Sequence, residues 1–409
     1  MGYDGRFAGD FFQDLNPGEI LAAIIERAAS LHVSDLFLLA EESGIRVAFR
    51  RMGGIETVAA LPLETGRSVV TLLKAESGID LGDRRRPHEG RRIQTINDDR
   101  VIDLRINIIP TLHGEDVAVR LLDRKFGLRS LEEIGLTRNE LNKMQAMLSN
   151  PSGLILVTGP TGTGKTTTLY ACLQHLNDGT RKINTLEDPV EYAVKGLRQS
   201  QTNSKLGLDF PELLRNVMRQ SPDVIMIGEI RDEETATTAV RAANSGTVVL
   251  STLHSPVAAS AVQSMAALGV NRYFLSNCLI AVVAQRLVRT LCTKCRVAYD
   301  ISESPDTFSD IQSMLDPGFG TYIFGPGSCE NCWQQGYSGR TAILELMVFN
   351  RALRQLVAKG CTSEELQSFA IQQGMLEFRR SAMVKVAMGV TSTEEILREL
   401  PSDQLGLDL

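Results

Sequence analysis

Hydrophobic positions along the chain follow two spacings, and the switches between them outline its architecture. Behind Asn16-Pro17-Gly18, with Glu19 in the first turn, Ile20, Leu21, Ile24, Ile25 and Ala28 recur at the interval of one helical face. Ser34–Leu39 and Ile45–Arg50 instead alternate or run apolar, as short strands do, around a turn at Glu41-Glu42-Ser43-Gly44. Met52-Gly53-Gly54 makes a second turn, and Glu64–Glu76 reads as a helix. Gly90–Thr95 and Val101–Ile109 read as a strand pair joined near Asn97-Asp98-Asp99, and Val117–Leu122 as a last strand. Together they predict a small α+β domain over 19–123, after a flexible lead at 1–18 and before a linker at 124–130.

The second half has a different rhythm. Leu131–Leu148 reads as a helix ended by Asn150-Pro151-Ser152-Gly153. Short apolar runs at 154–158, 183–186, 224–227 and 248–251 then alternate with helical stretches, which argues an α/β fold with a doubly wound, mostly parallel sheet. Leu275–Val288 is apolar and long enough to read as a helix. Asn350–Leu400 reads as helices broken at Lys359-Gly360 and Gly389, followed by a tail at 401–409.

Composition narrows the class. The chain has 409 residues, enough for two or three domains, and its 43% hydrophobic and 22% charged content is ordinary for a globular protein. A net charge of −6 gives no general attraction to nucleic acid or an anionic bilayer. No apolar run approaches the roughly 20 residues that span a membrane. The N-terminus lacks the basic and apolar regions of a secretory signal, and Arg6 stands where a myristoylation site wants Ser or Thr. The expectation is a cytoplasmic protein.

The strongest chemical signal is Gly159-Pro160-Thr161-Gly162-Thr163-Gly164-Lys165-Thr166, between a strand-like run and the helical Thr167-Thr168-Leu169-Tyr170. It matches G-x-x-x-x-G-K-[ST]. Glycines let backbone N–H groups turn inward around phosphate oxygens, and the helix start adds partial positive charge. Lys165 would reach the β- and γ-phosphates of ATP, the Thr166 hydroxyl would ligate Mg²⁺, and Thr167 completes the nucleotide-binding stretch. Asp223–Glu229 delivers Glu229 at the end of an apolar strand, where a carboxylate can polarise water; Asp223 is expected to orient the strand's entry. Glu187-Asp188-Pro189-Val190-Glu191 puts three carboxylates after another strand. His254 follows a third, as a structural residue or a sensor of the γ-phosphate.

Two of the three cysteine groupings carry chemistry. Cys292-Thr293-Lys294-Cys295 and Cys329-Glu330-Asn331-Cys332 have the paired C-x₂-C form of a tetrahedral Zn²⁺ site, within an element spanning 290–334. Four thiolates leave no open position, so the expected role is structural. Redox-active pairs are the alternative. Gly325, Gly327 and Gly336 suit the turns of a metal knuckle. Cys172, Cys278 and Cys361 read as apolar-face residues.

GPTGTGKTTTLYA, TLEDPVEY, RQSPDVIMIGEIRD, STLH and AQRLVRTLC, in that order, resemble the secretion-ATPase superfamily. Within it the chain is similar to the GspE/PilB branch of type II secretion and type IV pilus assembly ATPases, over roughly 30–400. The tetracysteine element and GYSGRTAILE sharpen that branch. The resemblance implies a homo-hexameric ATPase in which an N-terminal α+β (PAS-like) domain and a RecA-like domain over 131–400 clamp ATP. It implies that Glu187 and Glu191 belong to an aspartate box, that Glu229 is the general base, and that His254 lies in a histidine box. Arg105 and Arg120 match the arginines that close over the phosphates. It implies a motor peripheral to the inner membrane, working with a platform protein and associated assembly proteins, and not with nucleic acid. The chain departs from the pattern at Ser34-Asp35-Leu36-Phe37, where a histidine is usual, at Ser245-Gly246-Thr247, and at Gln263, where an arginine is common. It also begins almost directly at the α+β domain, without the further docking domain of many relatives. These departures motivate a second reading, a nucleotide-gated regulator with weak hydrolysis. A nucleic-acid translocase is the third, which the acidic balance disfavours.

Overall fold

A computed structural model describes residues 11–97, 100–123 and 127–406. The first ten residues of the expected lead, Asp98 and Asp99 of the expected turn, residues 124–126 of the expected linker and 407–409 of the tail lie outside the described residues. The described residues fall into two units, one within Met1–Gly127 and Gly327–Gly336, the other within Leu128–Pro326 and Tyr337–Leu409.

The first unit is an antiparallel sheet with helices on one face. Helix α1 (Pro17–Ser30) starts where Asn16 accepts from the Gly18 and Glu19 amides and Glu19 returns a bond to the Asn16 N–H, a capping box worth about 1 kcal/mol. Strands β1 (Asp35–Glu41), β2 (Gly44–Arg51) and β3 (Gly54–Pro62) form successive hairpins. Helix α2 (Leu63–Glu76) precedes β4 (His88–Asn97), β5 (Arg100–Thr111) and β6 (Gly114–Asp123). The sheet order is β3-β2-β1-β6-β5-β4. Along β5, Ile102, Leu104, Ile106 and Ile108 are buried while the residues between them are not, as a period of two demands when one face is covered. That face joins Ile20, Ile24, Val69 and Leu73 of the two helices in one core.

The second unit carries a seven-stranded sheet between two helical layers. Thr137 and Glu140 form a capping box that starts α3 (Arg138–Leu148) later than the apolar pattern suggested; Leu131 and Ile134 are buried from the preceding turn. Then follow β7 (Gly153–Thr158), α4 (Lys165–Leu176), β8 (Ile183–Glu187), β9 (Arg198–Gln201), α5 (Phe210–Met218), β10 (Val224–Ile227), α6 (Glu233–Asn244), β11 (Val248–Leu253), α7 (Ala258–Ala267) and α8 (Arg272–Cys278). Leu275–Val288 is not one helix; α8 ends at Cys278 and β12 runs from Leu279 to Leu291. The apolar run has no gaps because β12 is an interior strand with both faces covered, and such strands lose their alternation. β13 (Val297–Asp300) and β14 (Tyr322–Gly325) make a separate two-stranded ribbon. β15 (Tyr337–Val348) pairs antiparallel with β12, and α9 (Arg351–Lys359), α10 (Ser363–Gln372), α11 (Phe378–Ala387) and α12 (Thr393–Glu399) close the unit.

The order β15-β12-β7-β11-β10-β8-β9 is parallel throughout except for β15. Alternate residues of the short strands serve two cores. Leu154, Leu156, Ile225 and Val249 face one; Ile155, Val157, Met226 and Leu250 face the other. Because the strands are parallel, β7, β8, β10 and β11 all end on one edge, the place where ligands bind in open α/β sheets.

Candidate functional site

That edge collects Gly159–Thr167, Glu187, Glu229 and His254. The loop leaves β7 at Thr158, whose hydroxyl donates to the Ser255 carbonyl (2.9 Å) and accepts from the Ser255 amide (2.8 Å), tying it to the end of β11. Gly159, Gly162 and Gly164 all have left-handed φ angles, of 144°, 81° and 85°. A Cβ on Gly162 would meet nothing within 4 Å, so that glycine serves the turn itself. Thr163 closes the loop by donating to the Pro160 carbonyl at 2.9 Å. Helix α4 then begins at Lys165 with no side-chain cap, leaving its first amides available to an anion. Pro160 and Thr161 are exposed at the loop's tip, while Thr166 and Thr167 are half-buried in the first helical turn.

Lys165 is buried and folded back onto the loop. Its ammonium donates to the carbonyls of Gly159 (2.6 Å) and Pro160 (2.9 Å) and lies 3.5 Å from His254 Nδ1. Burial pushes its pKa down to about 8, against the opposing pull of the Glu229 carboxylate. His254 Nε2 in turn stands 3.5 Å from Glu229 Oε2, and the other Glu229 oxygen is held by Arg231. Lysine from the start of α4, and histidine and glutamate from just beyond two strand ends, thus form one chain of contacts beside the loop. Thr252 fixes the geometry below it by donating to the Gly228 carbonyl at 2.7 Å.

Glu187 has a different setting. It is 3% exposed, and its carboxylate accepts from Tyr170 Oη and Thr185 Oγ1, both at 2.5 Å, and from Gln199 Nε2 at 3.1 Å. Tyr170 is wholly buried; burial first, and the Glu187 charge second, push its phenol pKa well up, so it stays a donor. Glu191 is half-buried in the loop after β8. Asp223 accepts from the Lys182 amide (2.7 Å) at the entry to β8. In the first unit, Arg105 is half-buried on β5, and Arg120 is exposed on β6 with Nε 3.3 Å from Asp35.

Two residues of this neighbourhood lie within quoted motifs, yet the sequence assigned neither a role. Arg231 sits two residues past Glu229, and a cation so close to a strand-end carboxylate was the available signal. Gln285 lies within the apolar run of β12, yet donates to the Thr163 carbonyl and accepts from Thr168, both at 2.7 Å. A lone amide in an otherwise apolar strand was its signal.

The sulfur atoms of Cys292, Cys295, Cys329 and Cys332 all lie within 4.8 Å of one another. Tetrahedral Zn²⁺ with Zn–S of about 2.3 Å needs S···S of about 3.8 Å, and Cys329 and Cys332 are 3.6 Å apart. The Gly336 amide donates to Cys332 Sγ at 3.2 Å, with Gly336 in a left-handed turn. Trp333 and Gln334 also take positive φ, as a tight knuckle requires. The donor set fits a structural zinc. Cys172, Cys278 and Cys361 are buried, and burial pushes the Cys172 thiol up to about 12.

Comparison with known proteins places these features in a lineage. The family model described as type II/IV secretion system protein matches residues 14–398. Type II secretion system protein E of Pseudomonas aeruginosa is 38% identical over 379 residues, covering 93% of this chain and 74% of that protein. The type IV pilus assembly ATPase PilB of the same organism is 36% identical over 371 residues, covering 89% of this chain and 64% of PilB. Of solved structures, the Legionella pneumophila ATPase DotB shares the fold with a TM-score of 0.69 at 19% identity, over 93% of this chain and 95% of DotB. The pilus retraction motor PilT does so with a TM-score of 0.63 at 23% identity, over 95% and 98%. A glycine-rich loop, a tetracysteine cluster and this breadth of similarity lead to one conclusion: the chain belongs to the type II/IV secretion system protein family, beside type II secretion and type IV pilus assembly ATPases.

Proposed function

We propose that the chain is an ATP-hydrolysing motor, acting as a homo-hexamer, that powers assembly of a type II secretion pseudopilus or a type IV pilus. The observation that carries this reading is the contact chain from Lys165 through His254 to Glu229 beside a glycine-rich loop. The second unit is then the RecA-like domain and the first the PAS-like one. ATP sits with its phosphates on the amides of Gly159–Thr167, and Lys165 exchanges its carbonyl contacts for phosphate oxygens. Thr166, with Glu187 and Glu191 in support, would hold Mg²⁺, whose charge would offset that of the phosphates. Glu229 accepts the proton of the attacking water. His254 bridges that base to Lys165, and Arg105 and Arg120 supply positive charge as the γ-phosphate departs. A structural Zn²⁺ on the four cysteines completes the cofactors.

No helix among the described residues is long and apolar enough to cross a membrane. The proposed partners at the inner membrane are a platform protein and its assembly proteins, met peripherally, and nucleic acid is not among them. The test is Glu229→Gln: the variant binds ATP with near-native affinity, while steady-state turnover falls by about 10²–10⁴-fold. Unchanged turnover would remove Glu229 from the role of base.

A further inference from the structure

Gln285 occupies a position that neither the motif nor the proposed chemistry explains. β7 and β12 run parallel, and their last paired residues are Thr158 and Ala284. At that point β7 gives way to the glycine-rich loop, while β12 continues to Leu291. Gln285 is therefore the first residue of β12 to face the loop in place of a strand. It is 2% exposed.

Its carboxamide is used at both ends. Nε2 donates to the Thr163 carbonyl inside the loop, and Oε1 accepts from the Thr168 hydroxyl in the first turn of α4. A carbonyl can only accept, so this pairing also sets which end of the amide is nitrogen. The Gln285 backbone takes part as well. A Cβ on Gly159 would lie 2.5 Å from the Gln285 carbonyl oxygen, and one on Gly164 would lie 2.9 Å from Gln285 Nε2. Gly159 is thus required by the closeness of the β12 backbone, in addition to the left-handed φ angles that it and Gly164 adopt.

We infer that Gln285 is a positioning residue for the phosphate-binding loop: it fixes the Thr163–Thr168 backbone against β12 so that the loop amides point to a common anion site. This deepens the reading of the loop as an ATP site and rests on it. Only a neutral side chain with one donor and one acceptor at this spacing can do it. A carboxylate would face the Thr163 carbonyl oxygen and add negative charge beside the phosphates. An apolar side chain would leave that carbonyl and the Thr168 hydroxyl without partners in a buried site.

The test uses the full chain, with ADP as probe and ATP as substrate. Gln285→Met should raise the ADP Kd and the ATP KM together by about tenfold, as loss of a buried hydrogen-bond pair implies. kcat should change by less than about threefold, a split that simple destabilisation would not give. Gln285→Glu should be worse than Gln285→Met on both measures, and Thr168→Val milder. A Kd and KM for Gln285→Met within about twofold of the parent would overturn the assignment, as would a loss confined to kcat. Amide exchange in the nucleotide-free protein supplies an arm independent of hydrolysis. Residues 159–168 should exchange faster in Gln285→Met and in Thr168→Val, with 224–230 unchanged, and equal exchange over 159–168 refutes the inference. Should Gln285→Met not fold, Thr168→Val carries both measurements. If the parent chain hydrolyses no ATP, the motor reading fails while the exchange result still decides the role of Gln285.

Discussion

Arg105 and Arg120 stand directly opposite one another where β5 pairs with β6, on the face turned away from the core. The register extends this into a row. Arg91 lies opposite Arg105, Asp35 opposite Arg120, and Arg50 opposite Asp35. Four guanidiniums and one carboxylate thus cross five strands. Like charges in facing positions weaken a sheet by several tenths of a kcal/mol, which the ion pairs of Arg91 with Asp103 and of Arg50 and Arg120 with Asp35 offset. Arg105→Ala and Arg120→Ala should leave unfolding free energy within about 0.5 kcal/mol of the parent, yet lower ATP turnover by about 10³-fold. Urea titration and steady-state turnover on the same samples check the pair of outcomes.

Lys165 makes nucleotide affinity depend on pH. Its folded pKa of about 8 lies below its ordinary 10.5, so between these values the unfolded chain holds a proton that the folded chain releases. The burial penalty is therefore fully present below pH 8 and is relieved as pH rises from 8 towards 10.5. A bound polyphosphate favours the ammonium again. ADP binding near pH 8.5 should take up protons, and affinity should fall as pH rises above 8. Calorimetry in buffers of different ionisation enthalpy measures the uptake, and Lys165→Met should abolish it.

The bond from Tyr170 to Glu187 is a buried hydrogen bond to a carboxylate. Tyr170→Phe should destabilise the second unit by about 1.5–3 kcal/mol, read as a lowered denaturation midpoint with an unchanged slope. An unaltered midpoint would mean that Thr185 and Gln199 hold Glu187 without it.

The cysteine cluster predicts about one zinc per chain by elemental analysis, lost in Cys292→Ser with Cys329→Ser. Loss of the metal should lower the melting temperature by several degrees. A metal-free parent with an unchanged melting temperature after chelation would return the cysteines to the redox alternative.

The alternation of helix and strand was legible wherever elements were short and one face met solvent. Ile20 to Ala28 announced α1, and Ile102 to Ile108 announced the core face of β5. The short parallel strands were legible for another reason: Gly/Pro breaks and polar residues bracket each run, and the chemistry sits at the strand ends. Leu275–Val288 misled because periodicity vanishes when a strand is buried on both faces, and its length favoured a helix. β3 escaped because Ile55, Glu56 and Thr57 are exposed or half-exposed, so its hydrophobic signal is weak. β9 is short and polar, at the sheet edge, and rests on ladder bonds to β8. Gln285 lies within AQRLVRTLC, but its role was not legible, since it stands 117 positions from the Thr168 it contacts.

β12 is 13 residues long, more than twice the four to six of β7, β8, β10 and β11. Gln285 grips the phosphate loop near its middle. Four residues on, about 13 Å along a strand, Arg289 donates through its backbone N–H and Nε to the buried carboxylate of Glu395 on α12. The glycine-rich loop and the C-terminal helices are therefore two fittings on a single beam. The alignment of the loop belongs to the whole second unit, so an eight-residue signature transplanted into another sheet would bring the anchors for phosphate but not the frame that keeps them true.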